Sequence, residues 1–147
     1  MLEKLKSLFN TQNPEEQIDP ALAATALLFE VAWADHNISE EEISTIRNAL
    51  KAHFNLDQSA IDALIEETKN QHEASVGVFP YTRAINEALS QEQKVSIISA
   101  MWEIAYADES LDLFEEHTIR RIADLLYVSH SDYIAAKIEV KRRREAD

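Results

Sequence analysis

Along this chain apolar residues recur at three- and four-residue intervals. Nowhere do they alternate with polar residues over the length of a strand. Ile43, Ile46 and Leu50 fall on one face of a helix. Ile61, Leu64 and Ile65 share a second, Ile119, Ile122 and Leu126 a third, and Tyr133, Ile134 and Ile138 a fourth. Two stretches, residues 21–34 and 95–107, are apolar almost all round, the pattern of helices buried on every side. The first is shorter than the roughly 20 apolar residues a membrane span needs and contains Glu30, so it reads as core.

Start signals divide the pattern. Asp19-Pro20 supplies an N-cap and a first-turn Pro. Ser39-x-x-Glu42, Ser90-x-x-Gln93 and Asp112-x-x-Glu115 have the spacing of a capping box. Asp57 or Ser59 caps another run, and Ser129 or Ser131 opens the last. Residues 75–80, with Gly77 and Pro80, form the clearest break, followed by a short helix over about 81–89. Residues 1–10 place Leu2, Leu5, Leu8 and Phe9 at helical spacing, and 11–17 read as a polar linker. The pattern predicts an all-α bundle of seven or eight helices. Residues 1–17 form an amphipathic segment and linker, and 18–144 a single helical domain.

The second half repeats the first at an offset of 73 residues, without a gap (Glu30 onto Glu103). Asp35 falls on Asp108, Glu42 on Glu115, Thr45-Ile46-Arg47 on Thr118-Ile119-Arg120, and Ile65-Glu66 on Ile138-Glu139. Apolar matches alone would mean little, since any two helices share them. Coincident Asp, Glu and Arg carry the inference. The unit is a helix, an acidic loop and a helix, with copies over about 20–70 and 93–143, and pseudo-twofold packing of the two apolar helices is the expected arrangement.

Composition narrows the function classes. A net charge of −13 and a pI near 4.7 repel phosphate backbones, so nucleic acid is not expected as a partner; cations and basic proteins are. With no Cys there is no thiolate metal site or Cys nucleophile. A single Gly excludes a phosphate-cradling Gly loop. The five His residues form no paired motif, and nothing joins the carboxylates to a nucleophile, so no enzyme is expected. No secretory signal is read, and a cytoplasmic location is expected. The segment 1–10 and the basic run Lys141–Arg144 raise peripheral contact with the inner face of a membrane.

The acidic loops hold the chemistry. Asp35, Asn37, Ser39 and Glu42 in the first copy, and Asp108, Ser110, Asp112 and Glu115 in the second, are oxygen donors closely spaced around a turn. Hard divalent cations want such a set. It is not an EF-hand: the sixth-position Gly is missing, and Ile46 and Ile119 stand where a bidentate Glu belongs. Capping alone accounts for Ser39, Glu42, Asp112 and Glu115, while Asp35 and Asp108 follow helix C-termini, where negative charge is unfavourable. Purely structural loops, metal binding and protein docking all fit. Glu30 and Glu103, inside apolar helices, read either as edge residues paired with Arg47 or Arg120, or as groups backing the loop acids.

The run Glu30-Val31-Ala32-Trp33-Ala34-Asp35, its copy Glu103-Ile104-Ala105-Tyr106-Ala107-Asp108, and the trailing Glu42 and Glu115 resemble the tellurite resistance protein B (TerB) family over roughly residues 20–140. The same domain is similar to the N-terminal part of a membrane-anchored DnaJ-like co-chaperone, although no His-Pro-Asp signature occurs. The resemblance implies an all-helical, acidic fold and a divalent-metal site, with Asp35, Glu42, Asp108 and Glu115 as ligands. The family usually places Gly after the Asp; His36 and Glu109 stand there instead. An imidazole at His36 would suit Zn²⁺, and Ca²⁺, Mg²⁺ and Mn²⁺ suit the carboxylates. The expectation is a metal-binding stress-response module with an unidentified protein partner; the alternative is a metal-independent, co-chaperone-like adaptor.

Overall fold

The computed structural model describes residues 18–34, 38–72, 77–107 and 113–146. Among these the chain forms seven helices and no strand: α1 (Pro20–Ala32), α2 (Glu40–Phe54), α3 (Gln58–His72), α4 (Phe79–Ala88), α5 (Gln91–Ala105), α6 (Leu113–Leu125) and α7 (His130–Ala146). The amphipathic segment 1–10 and the linker 11–17 lie outside the described residues. Among the described residues no helix is long and apolar enough to cross a membrane.

Local chemistry sets the helix starts. The Asp19 carboxylate accepts from the Ala21 amide at 3.2 Å, with Pro20 opening α1. Ser39 and Ser90 each form a complete capping box, with Glu42 and Gln93 respectively. Asp57 caps α3 through the Ala60 amide (2.8 Å), and Ser129 caps α7 through the Asp132 amide (3.1 Å). The break after α3 ends sooner than its composition suggests. α4 already begins at Phe79, because Pro80 fits a helix's first turn, where its missing N–H costs nothing. Gly77 turns the chain at φ 113°, a conformation open to Gly alone without strain.

α1 and α5 form the centre. Ten α1 residues are buried, from Ala21 to Ala32, and α1 packs against α2, α3, α4, α5 and α6. α5 packs against α1, α2, α6 and α7, burying Ile97, Ile98, Met101, Trp102 and Ile104. The core pairs Phe29 with Trp33 (ring centroids 5.0 Å apart) and Trp102 with Tyr133 (5.2 Å). The Lys137 ammonium lies 5.1 Å from the Trp102 ring centroid.

Burial corrects the gapless alignment of the two copies. Through the second helix of each unit the offset of 73 holds: Glu42, Ile46, Ala49 and Leu50 are buried in α2, and Glu115, Ile119, Ile122 and Ala123 in α6. Past that helix the offset becomes 72, Asn55 onto Tyr127. Both of these residues are left-handed, at φ 51° and 60°. Ile61 therefore corresponds to Tyr133, and both are buried. Ile138, which the sequence aligns with the buried Ile65, stands 61% exposed. α7 turns Tyr133, Ala136 and Val140 inward instead, and Ile138 falls on the opposite side of that helix.

The Tyr127 backbone carries strain, since a left-handed non-Gly residue costs roughly 1–2 kcal/mol. It persists because the Val128 amide reaches back to the Ala123 carbonyl (3.0 Å), closing the helix end where Gly is usual. Tyr127→Gly is expected to raise stability by roughly 1 kcal/mol, since the ring is 76% exposed and loses little packing. Urea unfolding measures this. A lowered midpoint would mean that the ring's contact with Lys94 outweighs the strain.

Candidate functional site

Two helix–loop–helix junctions follow the buried helices, and their described ends match closely. α1 closes at Trp33 (φ −94°, ψ 7°), whose amide donates to the Phe29 carbonyl at 2.8 Å. α5 closes at Tyr106 (φ −91°, ψ −3°), with its amide 3.0 Å from the Trp102 carbonyl. Ala34 and Ala107 then bond back to Val31 and Ile104. Asp35, His36 and Asn37 of the first junction lie outside the described residues, as do Asp108, Glu109, Ser110 and Asp112 of the second.

On the far side of each loop a carboxylate is buried. Glu42 and Glu115 are each 1% exposed. The Ser39 amide donates to Glu42 Oε1 at 2.8 Å, and Ser39 Oγ accepts from the Glu42 amide at 3.1 Å. Glu42 Oε2 is buried and accepts no hydrogen bond from the described residues. The spacing signalled the cap; it held no signal that the cap is sealed from water. That burial arises because Glu42 shares the helix face of Ile46, Ala49 and Leu50.

Glu30 and Glu103 sit half-buried at the edges of α1 and α5. Their expected arginine partners are corrected. Arg47 bonds to Asp62 on α3, a pairing that holds the Asp62 carboxyl below its usual range. Glu103 pairs with Arg143 of α7 at 3.2 Å. Arg120 makes no ion pair among the described residues. The basic end of α7 is partly spent inside the molecule, since Arg142 bonds Glu139 at 2.8 Å while Arg143 holds Glu103. Among the described residues no three His, Asp or Glu side chains cluster as an ion site. Of the expected donors, the described ones are Ser39 and Glu42 at the first junction and Glu115 at the second.

An all-helical bundle whose two central apolar helices each run into an acidic junction defines a class of small helical proteins. Within it, the family model described as Tellurite resistance protein TerB matches residues 21–138, and the chain belongs to that family. No curated protein and no solved structure gave a match.

The capping and charge roles of Glu42 can be separated. Gln93 performs the same cap on Ser90 (2.8 Å and 3.2 Å), so an amide suffices in this chain. Glu42→Gln is expected to keep the fold and hold or raise the melting temperature at neutral pH, by removing a buried charge. Glu42→Ala is expected to lose about 1 kcal/mol with the cap. Paired thermal melts test this, and a Gln variant as unstable as the Ala variant would show that the charge itself holds the junction together.

Proposed function

We propose that this protein is a non-catalytic TerB-family module that binds divalent cations at its two acidic junctions and serves a stress response of the tellurite-resistance type. One observation carries the reading. The chain uses Glu at its buried capping box and Gln at its exposed one. Capping alone favours the reverse, because burying a carboxylate costs several kcal/mol unless the charge is compensated, and an amide carries no such cost. A cation held by Glu42 Oε2 and the loop acids compensates it. Family membership supports the same reading.

In this reading Asp35 and Glu42 hold the ion in the first junction, with Asn37 and Ser39 nearby. Asp108 and Glu115 do so in the second, with Ser110 and Asp112. His36 and Glu109 stand beside the leading Asp of each set, and Glu30 and Glu103 back the two sets from the helix edges. The bound ion supplies positive charge, which relieves repulsion among carboxylates and couples ion binding to the packing of α2 and α6. The ion is a hard cation of the Ca²⁺, Mg²⁺ or Mn²⁺ kind if oxygen donors alone hold it. It is Zn²⁺ if His36 joins.

Binding to the folded state alone raises the melting temperature by linkage. Melts in chelator and then in each of the four ions are expected to show a saturable rise with one of them. Asp35→Ala combined with Asp108→Ala abolishes that rise, and Glu42→Gln reduces it without unfolding the protein. Equal small rises with every ion, unchanged in the variants, would assign the effect to screening of the −13 charge and sink the metal reading.

A further inference from the structure

The two units carry different surfaces on matching helices. At the start of α2 stand Glu40 and Glu41, acids that suit a helix N-terminus. At the same positions of α6 stand Leu113 and Phe114, 78% and 68% exposed. The fold therefore does not require apolar residues there, and the helix dipole gains nothing from them. With Glu116, His117, Arg120 and Tyr133 they line an open groove of about 440 Å³ between α6 and α7.

The charges differ in the same place. In the first unit Arg47 on α2 is bonded by Asp62 on α3. Arg120 corresponds to Arg47, and at the offset that holds beyond α6 the counterpart of Asp62 is Ile134. Arg120 stands exposed on the groove with no ion pair among the described residues, in a chain of net charge −13. A guanidinium beside exposed Leu and Phe is the complement of an apolar group with a carboxylate next to it.

We propose that this groove docks a short segment of another protein, whose bulky apolar side chains cover Leu113 and Phe114 while its Asp or Glu takes the position on Arg120 that Asp62 takes on Arg47. The occupant is not a second copy of this chain. The patch is small beside the roughly 800 Å² per partner of a stable dimer, and two chains of charge −13 repel. It is not an enclosed small ligand either, since the groove is open and buries little of a free molecule. The docking does not depend on the metal reading, although α6 begins directly after the second acidic loop.

The test titrates ¹⁵N-labelled full-length protein with a short peptide of alternating Leu, Phe and Glu, and with a twin carrying Lys for each Glu. Both titrations are run in chelator and again with the stabilising ion. Saturable shifts at residues 113–133 with the Glu peptide, seen in chelator, support the site whatever becomes of the metal reading. Leu113→Glu with Phe114→Glu copies the first unit, so it is expected to melt no lower than wild type and to weaken binding about tenfold or more. Arg120→Glu, a surface change, is expected to turn the preference to the Lys twin. The proposal is overturned if the twin binds wild type as well as the Glu peptide does, or if the double variant unfolds. It is also overturned if decanoate displaces the peptide at equal affinity, or if sedimentation finds a dimer that Leu113→Glu with Phe114→Glu abolishes.

Discussion

The rest of the structure depends on α1 having no polar face. A helix apolar all round cannot sit at a surface, so other helices must wrap it, and five do. α5 makes the same demand and takes the place beside it. Once both are central, the chain must leave the core at Ala32 and Ala105 and return along the core's flank as α2 and α6. The first turn of each returning helix then lies between the water and the core. That is why Glu42 and Glu115, in the first turns of α2 and α6, are sealed, while Gln93, in the first turn of α5, faces solvent.

This position removes the opposition between capping and ion binding that the sequence leaves open. A cap uses one carboxylate oxygen, and Glu42 spends Oε1 on the Ser39 amide. The hydrogen bond fixes the side chain's rotamer and aims the carboxylate without exhausting it. A ligand held in place this way loses less conformational freedom on binding an ion than one on a free loop. In TerB-family terms, the capping box is then the support that orients the proposed ligand.

What the sequence made legible were features decided within a few residues. Asp19-Pro20, Ser39 with Glu42 and Ser90 with Gln93 are local bargains between a side chain and nearby amides, and each stands as its spacing implied. Partners set across the bundle were not legible. Arg47 could be assigned to Glu30 by proximity in the unit, but Asp62 on the neighbouring helix is where its guanidinium reaches. The pairing of Ile65 with Ile138 failed for a related reason. The left-handed residue that follows α6 comes one residue early relative to its copy, and one residue turns a helix by about 100°. Identical letters at a constant offset thus came to face opposite ways. The shared left-handed residues, Asn55 and Tyr127, mark where the register changes, and neither is a Gly that would have announced it.

Divergence between the copies follows the same division. Positions answerable to the core remain matched: the aromatic pairs Phe29–Trp33 and Trp102–Tyr106, and the buried Glu42 and Glu115. Positions answerable only to solvent have drifted apart. Where one unit closes its surface with Glu40, Glu41 and an Arg47–Asp62 pair, the other opens it with Leu113, Phe114 and Arg120. Random drift on a solvated face does not favour two large apolar residues at the start of a helix, since each costs solubility and forgoes the dipole. Leu113 and Phe114 begin α6, beside the residue that would sense an ion, and share one groove with Arg120. The second unit thereby carries a face that the first lacks, which is the condition for a scaffold built from two similar units to present a partner with a single orientation.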